Sequence, residues 1–161
     1  MTTVPTDGPD HAIPGGGVTA TGRDSARRTP LDRLLGRAEY RVARRVEAAA
    51  ASEGLTVDHW RVLDLLADGE GHTMTGIASS VGVPGPTLTK IVDRLVDTAR
   101  VYRLADARDR RRVLVFLSDD GRAVHTRLSP AVHDVEADLL GVLGPDAPVL
   151  LDLLDRLAAD D

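Results

Sequence analysis

The feature that most restricts what this chain can fold into is a pair of short aliphatic runs, Val101 to Leu104 and Val113 to Leu117. Between them lies Ala105-Asp106-Ala107-Arg108-Asp109-Arg110-Arg111-Arg112. Runs rich in β-branched and aliphatic residues pair as strands, whereas a run of charge with no apolar anchor stays in water. The segment therefore predicts a two-stranded hairpin with an arginine-rich tip. The rest of the chain from Leu31 onward follows a helical period, so the hairpin is set among helices.

Upstream of it, Leu88, Ile91, Val92 and Leu95 form the apolar stripe of a helix predicted from Pro86 to Thr98. Proline suits the first helical position, where its missing N–H would be unpaired anyway. Gly82-Val83-Pro84 supplies a tight turn, and a short helix from about Met74 to Ser80 precedes it. Val57 to Ala67 predicts another helix, burying Trp60, Leu63 and Leu66 and ended by Asp68-Gly69-Glu70-Gly71. The first helix starts after Thr29-Pro30, aligns Leu31, Leu34, Leu35, Ala38, Val42, Val46 and Ala49, and stops at Gly54. Downstream, Ser118-Asp119-Asp120 caps a long helix whose stripe is Val124, Leu128, Val132, Val135, Leu139 and Val142. Pro130 is expected to kink that helix or split it. A last helix runs from Ala147 to Ala158. Residues 1–29, with three prolines and Gly15-Gly16-Gly17, read as a disordered arm, and its Arg23, Arg27 and Arg28 as a solvated end rather than a phosphate contact.

Composition narrows the chemistry. The 161 residues hold no cysteine, which excludes a thiolate nucleophile, a thiol redox sensor and a Cys-ligated zinc site. No apolar run approaches the ~18 residues of a membrane span, and the start lacks the apolar stretch of a signal peptide, so the expected compartment is the cytoplasm. The net charge of −5 argues by itself against a nucleic-acid partner. Its distribution reverses that conclusion: residues 1–83 sum to −2, residues 84–117 to +4 and residues 118–161 to −7. The net positive charge falls on the helix before the hairpin and on the hairpin itself.

Helix, glycine turn, helix and a hairpin with a basic tip is the plan of a winged helix-turn-helix DNA-binding lobe. A major groove about 12 Å wide admits one helix, which must present small polar or cationic side chains outward. Thr87, Lys90 and Arg94 share that outward face, with Thr89 close by. The tip bearing Arg108, Arg110, Arg111 and Arg112 suits an adjacent minor groove. Asp109 is expected to pair with one of these arginines and fix the shape of the tip. The fold class is thus mainly α (α+β).

From about Leu31 to its end, the chain resembles a MarR-family transcriptional regulator. The resemblance lies in Leu55-Thr56 with His59-Trp60 and Leu63, in Ala78 with Val81-Gly82-Val83, and in Pro86 to Leu95. It continues through Asp106 to Arg111 and Leu117 to Arg122. It implies a recognition helix carrying Thr87, Thr89, Lys90 and Arg94, a minor-groove arginine at Arg111 with Asp109 as its partner, and a homodimer built by the first and the two C-terminal helices. The implied division is a dimerisation region, residues 30–54 and 118–161, around a DNA-binding domain, residues 55–117. Three departures stand out. Ala99-Arg100-Val101 replaces the family's Gly-Leu-Val-like step, Gly85 replaces a position often polar or basic, and Gly76 replaces a common glutamate at a cost of ~1 kcal/mol in helix propensity.

The dimer has its own support in the sequence, because the C-terminal Leu/Val stripes are wider than one small winged domain covers. Two copies imply a pseudo-palindromic duplex site with half-sites about one helical turn apart. His59 and Trp60 read first as core packing at a helix junction. The resemblance adds a cleft for a small aromatic or phenolic acid, approached by Arg37, Tyr40 and Arg41, where an arginine would pair with the acid. The repeat of Arg33, Arg37, Arg41 and Arg44 reads more simply as a solvated face. His72, His125 and His133 lack the i, i+4 spacing of helical zinc ligands, so no metal or cofactor is expected. No nucleophile motif or phosphate loop points to an enzyme. The alternative function is a winged-helix protein-interaction module without sequence-specific DNA binding.

Overall fold

A computed structural model describes residues 29–159. The arm and its Arg23, Arg27 and Arg28 lie outside the described residues. In chain order the elements are α1 (Leu31–Ala50), α2 (Val57–Leu65), β1 (His72–Thr73), α3 (Met74–Val81), α4 (Gly85–Asp97), β2 (Val101–Ala105), β3 (Val113–Leu117), α5 (Asp119–Gly141) and α6 (Ala147–Ala158).

Each helix begins and ends where local chemistry dictates. α1 closes through a single tight turn, Ala51–Glu53, into Gly54 at φ 64°. Thr56 caps α2: its hydroxyl accepts from the His59 N–H, while the His59 ring accepts from the Thr56 N–H, a reciprocal box that satisfies two otherwise unpaired donors. Ser118 caps α5 through the Gly121 N–H at 2.9 Å. The same hydroxyl donates to the carbonyls of Ala99 and Arg100, tying the start of α5 to the turn before β2. The approach is so close that a Cβ at residue 121 would collide with the Arg100 carbonyl oxygen and the Leu117 side chain.

The hairpin forms as the sequence predicts, β2 and β3 pairing antiparallel from Val101↔Leu117 to Ala105↔Val113. A third strand, β1, was not anticipated; it adds His72↔Val115 and Thr73↔Leu114, giving the order β1-β3-β2. Two residues carry no periodicity, so this strand exists only through its partner. Of the two outcomes expected at Pro130, a kink or a split, the split is absent: α5 runs unbroken from Asp119 to Gly141. Proline removes one backbone donor, but Val124 and Leu128 before it and Val132 after it are all buried, and that packing holds the helix together.

The core lies between the end of α1, α2, α3, α4, the sheet and the first half of α5, with Leu63, Leu66, Ile77, Leu88, Leu95 and Val115 fully buried. α6 contributes nothing to it. No residue of α6 is buried, and Val149, Leu153 and Leu157 are each more than half exposed, as is Leu31 at the start of α1.

Candidate nucleic-acid interface

α4 is strongly two-faced. Leu88, Ile91, Val92 and Leu95 turn inward, while Thr87, Thr89, Lys90, Asp93 and Arg94 are exposed. At about 3.6 residues per turn, Lys90 points straight out and Thr87 and Arg94 share one flank. Thr89 falls on the other flank, where its hydroxyl donates to the Gly85 carbonyl at 3.0 Å. The helix is presented by Gly82 in the left-handed region at φ 72°, which ends α3, and by Pro84, whose carbonyl takes the N–H groups of Thr87 and Leu88 at 2.9 Å. Gly85 opens α4 and has open space around it.

At its other end α4 finishes in a Schellman turn. The Arg100 N–H reaches the Leu95 carbonyl at 2.8 Å and the Ala99 N–H reaches that of Val96 at 2.9 Å. The geometry places Ala99 at φ 54°, in the left-handed region usually given to glycine. The departure Ala99-Arg100-Val101 therefore keeps the turn and carries its backbone strain.

The wing tip is shaped by carboxylates acting on the backbone. Asp106 accepts from the Arg108 N–H at 2.8 Å, and Asp109 from the Arg111 N–H at 3.0 Å. Two main-chain bonds of 2.9 Å, Asp106 N–H to the Arg112 carbonyl and Arg112 N–H to the Asp109 carbonyl, close the loop. Asp109 thus meets Arg111 through the main-chain N–H two residues along, the usual geometry of an Asx turn, and among the described residues it makes no ion pair with a guanidinium. All four guanidinium groups, Arg108, Arg110, Arg111 and Arg112, stay exposed with no intramolecular carboxylate among the described residues. At the base of the wing the rings of Tyr102 and Phe116 stack at 5.4 Å, and Phe116 lies so close to Gly71 that a Cβ there would enter its ring.

The five residues grouped from the sequence as effector ligands are not brought together within one protomer. Of the five, Trp60 alone lines a cleft of about 750 Å³ bounded by α1, α2, the end of α3 and α5. Trp60 is 6% exposed and stacks on His125 of α5, centroids 5.0 Å apart and planes 4° from parallel. His125 in turn bonds Asp64 at 2.9 Å. Arg37, Tyr40 and Arg41 sit instead along the exposed face of α1, with Arg44 over the Tyr40 ring. His59 lies about 100° round α2 from Trp60 and lines a separate cavity with Arg94 and Arg100. Burial holds the His59 imidazole below its ordinary pKa; the charge of Asp58 opposes this, and those of Arg100 and Arg94 add to it.

Sequence reasoning missed the polar pairs that fix these parts. Arg103 of β2 meets Asp93 of α4 at 2.7 Å, and Glu53 accepts from both Arg100 and Arg127. Among the described residues no three His, Cys, Asp or Glu side chains gather as a metal site. His72 pairs with Asp68, His125 with Asp64, and His133 approaches Ser129.

An outward-facing helix after a glycine turn, followed by a hairpin with a free cationic tip, defines a winged helix-turn-helix protein. The MarR family model matches residues 53–112. The HTH-type transcriptional regulator TtmR of Methylorubrum extorquens (strain PA1) is 32% identical over 146 residues, covering 88% of this chain and 72% of the relative. Among solved structures, NadR in complex with 4-hydroxyphenylacetate matches with a TM-score of 0.74 at 26% identity, covering 84% of this chain and 97% of that one. CouR bound to a 23-mer DNA duplex matches with a TM-score of 0.71 at 31% identity, covering 80% and 92%. The chain belongs to the MarR family of transcriptional regulators. No described helix is long and apolar enough to cross a membrane.

Proposed function

We propose that this protein is a homodimeric repressor, acting in the cytoplasm, that binds a pseudo-palindromic duplex site and is released from it by a small aromatic effector. The observation that carries the reading is the pairing of Lys90 on the outward face of α4 with four unpartnered arginines at the wing tip, on a segment of local charge +4 within an acidic chain. Unpaired cations held in a fixed arrangement suit phosphates and groove edges. CouR, a neighbour of the same fold, is bound to duplex DNA. A protein-interaction module could turn the same cations to an acidic partner, and titration of duplex at several salt concentrations separates the two readings.

Dimerisation is supported by the uncovered leucines of α1 and α6, which in a lone chain would leave a broad apolar surface in water. In the proposed division, residues 30–54 and 118–161 join the two copies and residues 55–117 contact DNA. The −7 charge of the last segment is then held away from phosphate. Sedimentation at micromolar concentration tests this, with a monomer as the contradicting result.

The cleft beside Trp60 is the proposed effector site; its volume of about 750 Å³ suits a small organic molecule. NadR is solved with 4-hydroxyphenylacetate. In this chain, however, the one guanidinium lining the cleft, Arg61, is already held by Glu39 at 3.3 Å and Asp58 at 3.2 Å. Asp64 and Glu136 add further negative charge. Within the protomer, a phenol or neutral aromatic therefore fits better than the acid expected from Arg37 and Arg41. Calorimetry with matched phenols and aromatic acids tests the site.

A further inference from the structure

Between α2 and the last turn of α4 lies a cavity of about 150 Å³, lined among others by Glu53, His59, Arg94, Thr98 and Arg100. Its carboxylate is already occupied. Glu53 binds Arg127 at 2.8 Å through one oxygen and Arg100 at 3.4 Å through the other. The Thr98 hydroxyl donates to the Arg94 carbonyl at 2.9 Å. Arg94 has no carboxylate partner among the described residues.

The tautomer of His59 follows from its partners. Nδ1 accepts from the Thr56 N–H at 3.2 Å and lies 2.7 Å from the Thr56 hydroxyl, so in the neutral ring the proton belongs on Nε2. The cap of α2 thus leaves a fixed, uncharged N–H donor beside two guanidinium groups. Arg100 spends Nη2 on the Glu53 carbonyl at 2.9 Å and on its carboxylate at 3.4 Å, so the donors left for an oxyanion are its Nε and Nη1, the Arg94 guanidinium and His59 Nε2, while a ligand cation would find no available carboxylate.

We infer that His59, Arg94 and Arg100 form a phosphate pocket that receives one backbone phosphate of the duplex whose groove α4 enters. The inference rests on the DNA-binding reading and adds to it His59 and Arg100, which lie outside both α4 and the wing, as partners of Arg94. Arg94 shares its flank of α4 with Thr87, so the pocket continues the groove-facing surface sideways, where a phosphate strand borders the groove. Such contacts fix register and orientation without reading bases. The positive end of α2 adds to the attraction.

The test uses the full chain and a labelled duplex selected by the wild type from a random pool, titrated across a salt series. His59→Glu keeps the α2 cap, because glutamate at this position completes the same box, but places a carboxylate in the pocket. We expect an unchanged helical circular dichroism signal and at least tenfold weaker binding on every duplex sequence, with a salt slope shallower by about one. His59→Gln should recover most of that loss, since its amide both accepts from Thr56 and donates to the pocket. Arg94→Gln, which leaves the cap untouched, should lose a similar share of salt dependence. Inorganic phosphate alone, at millimolar concentration and without DNA, distinguishes the source. A saturable shift of the His59 ring resonance together with unimpaired duplex binding by His59→Glu would mean a free-anion site and overturn the assignment. Wild-type binding matched in affinity and slope by folded His59→Glu and Arg94→Gln overturns the pocket alone. A wild type that ignores duplex at low salt overturns the functional reading beneath it.

Discussion

Arg103 of β2, the first wing strand, and Asp93 of α4 form an ion pair of 2.7 Å that joins the two elements. Its partners are 35% and 51% exposed, so solvent screening keeps its contribution to stability below about 1 kcal/mol. Its value is geometric: it sets where the wing tip stands relative to Lys90. Arg103→Ala should shift the urea midpoint little but weaken duplex binding several-fold, and the double substitution with Asp93→Ala should show the two effects to be non-additive. A large loss of stability with unchanged binding would assign the pair to folding instead.

Ala99 holds a left-handed backbone at φ 54° for the sake of the turn that ends α4. An L residue there costs roughly 1–2 kcal/mol, of which glycine returns part as unfolded-chain entropy. Ala99→Gly should therefore stabilise the protein by about 0.5–1 kcal/mol, raising the melting temperature by a few degrees. A destabilised variant would show that the alanine methyl packs against something that matters more than the strain.

Gly121 lies under the Arg100 carbonyl, where the start of α5 crosses the turn before β2. A methyl group there must push backbone apart, and Gly121→Ala should destabilise by about 2–3 kcal/mol, as overpacking of a closed site does. Chemical denaturation measures it, and a change near zero would contradict the close approach.

The depressed pKa of His59 gives stability a pH dependence whose sign follows from proton counting. Burial and the nearby Arg100 and Arg94 disfavour the charged ring, against the opposing Asp58. Below its ordinary value of about 6.5 the unfolded chain takes up a proton that the folded chain refuses. This contribution is complete above that pH and is lost as pH falls through the gap between the unfolded and folded values. His59→Gln should flatten that part of the stability profile. An unchanged acid slope would place the titration elsewhere.

The helices were legible because each buries a stripe at helical spacing: Leu88, Ile91, Val92 and Leu95 name the inward face of α4 without any structure. Strand β1 was not legible, since His72 and Thr73 are extended only because β3 lies beside them. Pro130 reads as a breaker locally and is overruled by Val124, Leu128 and Val132. His59 and Trp60 show the limit most clearly. Adjacent in sequence, they are about 100° apart on α2, so one faces the cavity by Arg94 and the other the cleft by Asp64. Pairs such as Arg103–Asp93 and Glu53–Arg127 join elements whose approach only tertiary packing decides.

The most direct test of the account is the salt dependence of duplex binding by the wild type and by Arg111→Ala and Lys90→Ala, followed by fluorescence anisotropy. The wild type should bind duplex with a steep salt slope. Arg111→Ala should weaken all sequences alike and reduce the slope by about one, while Lys90→Ala should also blur base preference. A wild type without affinity for duplex at low ionic strength, or an Arg111→Ala slope equal to that of the wild type, would contradict it.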